Sequence, residues 1–91
     1  MLRISQSQSV GSVVLFLEGK LLEPWLDELH QAIRSAGGEN AVQLDLSGLD
    51  FVDPTSALLL AMLGRRGVAV RAASPLVAGL IAAAIDERRG V

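Results

Sequence analysis

The chain has 91 residues and a mass of 9.6 kDa, the size of one domain over residues 1–91 and enough to bury a core without staples. It has no cysteine and one histidine, so disulfides, thiol chemistry and cysteine- or histidine-built metal sites are excluded. Hydrophobic residues at 51%, aromatics at only 3% and a net charge of −2 describe a globular chain without the basic footprint or stacking surfaces of a nucleic-acid binder.

Leu2 to Ser9 alternates weakly between apolar and polar residues and reads as a short edge strand. Val10-Gly11-Ser12 is a turn signal, and the β-branched run Val13 to Glu18 is a buried strand antiparallel to the first, ended by Gly19. Pro24 stands where a first helical residue lacks an amide partner anyway. Leu22, Leu26, Leu29 and Ile33 recur at helical spacing behind it, with Asp27, Glu28, Gln31 and Arg34 opposite, and Gly37-Gly38 ends this first helix.

From Ala41 to Ser47 the alternation is clean. Val42, Leu44 and Leu46 face the core, Gln43 and Asp45 face away from the helices, and Gly48 to Asp53 follows as a loop. Asp53-Pro54 is a cap followed by proline, opening a second helix to about Leu63. Val68 to Arg71 is a short strand that places Arg71 beside Asp45. Ser74-Pro75 repeats the cap-plus-proline signal for a last helix with a face of Val77, Leu80, Ile81, Ala84 and Ile85, and Asp86 to Arg89 is a solvated end. The order β-β-α-β-α-β-α implies an α/β fold: a small mixed sheet of about four strands with about three helices packed on it.

The N-terminus lacks the apolar core of a signal peptide. The longest uncharged stretch, Ala72 to Ile85, is 14 residues and is interrupted by Ser74 and Pro75, short of the ~20 residues of a membrane span. A soluble, cytoplasmic chain without membrane insertion is expected.

Enzyme motifs are missing: there is no nucleophile elbow, Walker loop or dinucleotide glycine fingerprint. His30 falls on the polar side of the first helix and reads as solvent-facing. Asp50 and Asp53 could pair as acid and base, but Asp53 already has a capping role. Trp25 borders the apolar stripe and reads as a lid between helix and sheet, with a partner contact as the alternative.

The second helix is apolar on every side from Ala57 to Leu63. A small domain has few layers to bury such a helix, so part of it, among Leu59, Met62 and Leu63, is expected to form an exposed patch for a protein partner or a second copy; full burial is the alternative. Thr55 and Ser56 sit where free amides and the helix dipole gather. On the residues alone they satisfy helix-end amides, and a phosphate acceptor is the alternative.

The stretch Val42-Gln43-Leu44-Asp45-Leu46-Ser47-Gly48-Leu49-Asp50-Phe51-Val52-Asp53, followed by a leucine-rich helix, resembles the STAS domain of anti-sigma-factor antagonists and sulfate-transporter tails. Leu17-Glu18-Gly19-Lys20-Leu21 and Gly67-Val68-Ala69-Val70 fit in order, so the resemblance covers nearly the whole chain as a stand-alone domain. It implies a bacterial, non-catalytic interaction module without a cofactor.

In partner-switching members an aspartate-serine-serine-glycine tetrad opens this helix, and a kinase phosphorylates its second serine or threonine. Here the tetrad is Asp53-Pro54-Thr55-Ser56: the aspartate matches, Thr55 stands at the acceptor position with Ser56 next to it, and Pro54 and Ser56 depart from the pattern. The resemblance implies an anti-sigma factor or serine kinase as partner, captured through the second helix; Leu59, Met62, Leu63, Asp50 and Trp25 are the expected contacts. The ATPase of a lipid-transport ATP-binding-cassette complex is the alternative partner. Nucleotide binding, claimed for some STAS domains, ranks last because no phosphate-cradling glycine loop is present.

Overall fold

The computed structural model describes residues 1–89. Strands β1 (Leu2–Ser9) and β2 (Ser12–Leu21) form an antiparallel hairpin whose turn places Gly11 at φ 78°. A single 3-10 turn, Glu23–Trp25, leads into α1 (Leu26–Ser35). Strand β3 (Val42–Val52) follows, then α2 (Pro54–Arg65), β4 (Ala69–Arg71) and α3 (Pro75–Arg89). The sheet order is β1-β2-β3-β4, with β3 parallel to both β2 and β4. The four-stranded mixed sheet with three helices is the α/β arrangement expected from the element order.

Strand parity divides the sheet into two faces. Leu15 and Leu17 of β2 and Leu44 and Leu46 of β3 join Leu29 and Ile33 of α1, Leu60 and Leu63 of α2, and Val77 and Ala84 of α3 in one buried cluster. All three helices therefore pack on one face. Gln43 and Asp45 point to the other face, and Arg71 lies directly opposite Asp45 in the β3–β4 register. The Asp45 carboxylate makes no ion pair with Arg71: its Oδ1 accepts from the Ser47 amide at 2.9 Å and the Ser47 hydroxyl at 2.6 Å.

The far ends of two strands differ from the sequence reading. Gly19 does not end β2, and residues 48–52 of the expected loop are strand: β2 and β3 stay paired to Leu21 and Val52. Two register shifts on the way each give β3 one extra residue. Such bulges break the two-residue period, which is why the alternation reads only to Ser47. Asp45 accepts from Ser47 at the first bulge, satisfying groups that the ladder gives up there. At Gly19, φ is 91° and the backbone passes against the Met1 carbonyl, so the position needs a residue without a Cβ.

Helices α1 and α2 end alike. The Gly38 amide donates to Ile33 and the Gly37 amide to Arg34; the Val68 amide donates to Leu63 and the Gly67 amide to Gly64. Both are Schellman caps, with Gly37 and Gly67 at positive φ. The second cap seats buried Val68 on buried Leu63, so β4 starts at Ala69 rather than Val68. On α3, Val77 and Ala84 are buried, Leu80, Ile81 and Ile85 are half-buried, and Asp86 and Glu87 are exposed; the Arg88 and Arg89 side chains lie outside the described residues. No helix among the described residues is long and apolar enough to cross a membrane.

Candidate protein interface at the start of helix α2

Asp53 builds the entrance to α2. Its Oδ1 accepts from the Ser56 amide at 2.8 Å, an N-cap bond, and its Oδ2 accepts from the Glu23 amide at 2.8 Å. Its own amide donates to the Leu21 carbonyl at 3.2 Å, and its carbonyl accepts from Ala57 at 2.8 Å. The β2–α1 turn and the start of α2 are thus fastened to one residue. Burial pushes the Asp53 carboxyl up; the Ser56 side chain and the amides of Glu23, Ser56 and Asp53 more than offset this and hold it below the usual carboxylate range. Both oxygens are committed to amides, which leaves Asp53 unsuited to acid–base work with Asp50. At Asp45, the Ser47 hydroxyl and amide lower the carboxyl pKa against the opposing effect of burial, and Arg71 adds a smaller lowering.

Pro54 takes the first helical position, where no amide partner is needed. The next two residues part ways. Thr55 is exposed. Ser56 is fully buried, and its hydroxyl makes no hydrogen bond of acceptable geometry, although it lies close enough to Asp53 to favour the charged carboxylate. Ser56 is therefore corrected as a phosphate-acceptor candidate: a kinase cannot reach it in the folded chain.

Helical spacing then sorts the apolar residues of α2. Ala57, Leu60 and Leu63 are buried with Ser56, while Leu58 and Leu59 are half-buried and Met62 is 47% exposed. Thr55, Leu58, Leu59 and Met62 follow the i, i+3, i+4, i+7 pattern of one outward stripe. Leu63 is corrected as a partner-contact residue: at 1% exposure it belongs to the core and anchors the C-terminal cap.

Asp50 is exposed on β3, and Trp25 is half-buried at the end of the 3-10 turn that Asp53 holds. Trp25 stands outside the buried cluster and its packed fringe. His30 is exposed on α1. Among the described residues no group of three or more histidine, aspartate or glutamate side chains is placed to hold a metal ion. The C-terminal end of α2 carries a two-pronged pair, Arg66 to Glu39 at 3.0 and 3.1 Å, exposed and worth under ~1 kcal/mol.

Sequence reasoning gave Phe51 no role of its own. It is 38% exposed and lines a shallow, mostly apolar groove of about 160 Å³ with Val52, Pro54, Leu80, Ala84 and Glu87, beside the start of α2. The available signal was an aromatic residue between two aspartates, Asp50 and Asp53.

The arrangement is a positioned helix end with an outward apolar stripe. A family model described as "Mlab, STAS domain" matches residues 4–85, and the chain belongs to the STAS domain family. None of the curated proteins matches it. Membership places the chain among domains that generally act as non-catalytic interaction modules.

Proposed function

We propose that the chain is an anti-sigma-factor-antagonist-like module that binds an anti-sigma factor or serine kinase through α2 and is released by phosphorylation of Thr55. The observation carrying this reading is the split between neighbouring hydroxyls: Thr55 is exposed and Ser56 buried, so the accessible one stands at the acceptor position. A phosphate there would add about −1.5 to −2 charges at one end of the Leu58, Leu59 and Met62 stripe. The helix N-terminus tolerates that charge within the chain, whereas an apolar partner surface does not. Ser56 replaces the tetrad glycine without projecting toward a docking kinase, since its side chain points inward. Asp50 and Trp25 flank this surface as further contacts, and such a partner places the chain in the cytoplasm.

A second reading keeps the surface and changes the partner: the ATPase of a lipid-transport ATP-binding-cassette complex, docked without a phosphate switch. Pro54 favours it, because a rigid proline stands where the switching tetrad has serine. Intact-mass analysis after incubation with a purified anti-sigma-type serine kinase separates the two. One added phosphate, absent from Thr55→Ala, supports the switch; no phosphate with a kinase active on a control substrate supports the ATPase partner.

A further inference from the structure

The two edges of the sheet are unequal. Strand β4 is three residues long, and short edges invite no pairing. Strand β1 is eight residues long, contains no proline or lysine, and runs against β2 from Leu2 to Ser9 without a bulge. Its single charge is Arg3. The usual devices that protect a strand edge are therefore missing from β1.

Which backbone groups that edge presents follows from one hydrogen bond. The Lys20 amide donates to the Met1 carbonyl at 3.1 Å, so Met1 and Lys20 face each other as a hydrogen-bonded pair. Antiparallel pairs alternate, and Arg3, Ser5, Ser7 and Ser9 thus bond to β2. The amides and carbonyls of Leu2, Ile4, Gln6 and Gln8 point outward, and nothing among the described residues pairs with them. The side chains of Ile4 and Gln6 lie on the helix side with their partners Leu17 and Leu15. There they border a groove of about 380 Å³ between β1 and α1, closed by Glu28, Ala32 and Ser35.

The geometry points to a second copy of this chain as the occupant of that edge, paired antiparallel through β1 so that two four-stranded sheets become one. One register satisfies all four outward residues: Leu2 opposite Gln8, Ile4 opposite Gln6, and Ser5 opposite Ser5 on the two-fold axis. The strand then supplies its own complement. Ile4 and Gln6 of each copy enter the groove beside α1 of the other, and Arg3 meets Ser7 rather than a like charge. This surface is separate from the α2 stripe, so dimer formation leaves Thr55 and Met62 available to a different partner.

Sedimentation of the whole chain across a concentration series, with three variants, tests the pairing. The unmodified chain shifts with concentration toward twice its 9.6 kDa mass. Gln6→Pro removes an outward amide without touching the β2 ladder, and it stays at the single-chain mass. Ser5→Cys introduces the only thiol in the chain, opposite its own copy at a spacing of about 4.5 Å between α-carbons, within disulfide range. It cross-links on mild oxidation, whereas Ser7→Cys, which faces Arg3 of the other copy, does not. If Gln6→Pro fails to fold, the two cysteine variants decide. The proposal is overturned by a single-chain mass at every concentration, by equal cross-linking of both cysteine variants, or by a dimer that survives in folded Gln6→Pro and is lost in Met62→Lys.

Discussion

The Asp53 carboxylate accepts the Glu23 amide at 2.8 Å, joining two turns that are 30 residues apart in the chain. The same carboxylate caps α2 through the Ser56 amide. Asp53→Ala removes both bonds and leaves two amides without partners. It should cost about 2 kcal/mol in urea unfolding, at the upper end for a helix cap because the tie to Glu23 goes with it. A cost below about 0.5 kcal/mol, the level of an ordinary surface substitution, would show that Asp53 does not organise the site.

At Gly19 a side chain meets two obstacles. The φ of 91° disfavours any Cβ, and an added Cβ collides with the Met1 carbonyl. Gly11 also has positive φ, at 78°, but faces open space. Gly19→Ala should therefore destabilise by about 2 kcal/mol or more and Gly11→Ala by about 1 kcal/mol. Equal midpoints for the two variants in thermal melts contradict the tight passage of β2 past the N-terminus.

Much of this fold was legible in the sequence, and the parts that were not have physical causes. The two cap-plus-proline signals at Asp53-Pro54 and Ser74-Pro75 placed the starts of α2 and α3, because both devices act within a few residues. The alternation through Val42, Leu44 and Leu46 correctly turned Gln43 and Asp45 away from the helices. Long-range pairing is invisible to such reasoning, so the bulges that carry β3 on to Val52 read as a loop. Within α2, leucines and a methionine on all sides give no amphipathic contrast, and only the packed structure separates buried Leu63 from exposed Met62.

Ser56 holds a buried hydroxyl with no hydrogen-bond partner. Its amide, not its side chain, serves the cap. Ser56→Ala should leave stability within about 0.5 kcal/mol of the parent, since removing a buried hydroxyl without a hydrogen bond is offset by losing its favourable effect on the charged Asp53 carboxylate. A loss above about 1 kcal/mol in chemical denaturation would reveal a bond from that hydroxyl.

Asp45 and Asp53 both have carboxyl groups held below the usual range. A lowered folded-state pKa contributes stability that is present above the unfolded value of about 3.9 and lost as pH falls through the lowered folded values. Stability should therefore decline on acidification below about pH 4 to 5, and Asp45→Asn should make that decline shallower. An acid limb of unchanged slope in Asp45→Asn indicates that the Ser47 bonds do not favour the charged form.

We propose that the outward stripe of α2 is the partner surface and that Thr55 controls it. The most direct test is the dissociation constant for a purified anti-sigma-type serine kinase and for a lipid-transporter ATPase, measured for the parent, Met62→Lys and Thr55→Glu by titration calorimetry. Both variants alter exposed positions and should melt within a few degrees of the parent. Met62→Lys should weaken binding at least about tenfold with either partner, as expected when a charge enters an apolar contact worth about 1.4 kcal/mol or more. A similar loss in Thr55→Glu supports the phosphate switch. Parent-like affinity in both folded variants would contradict the assignment of this surface.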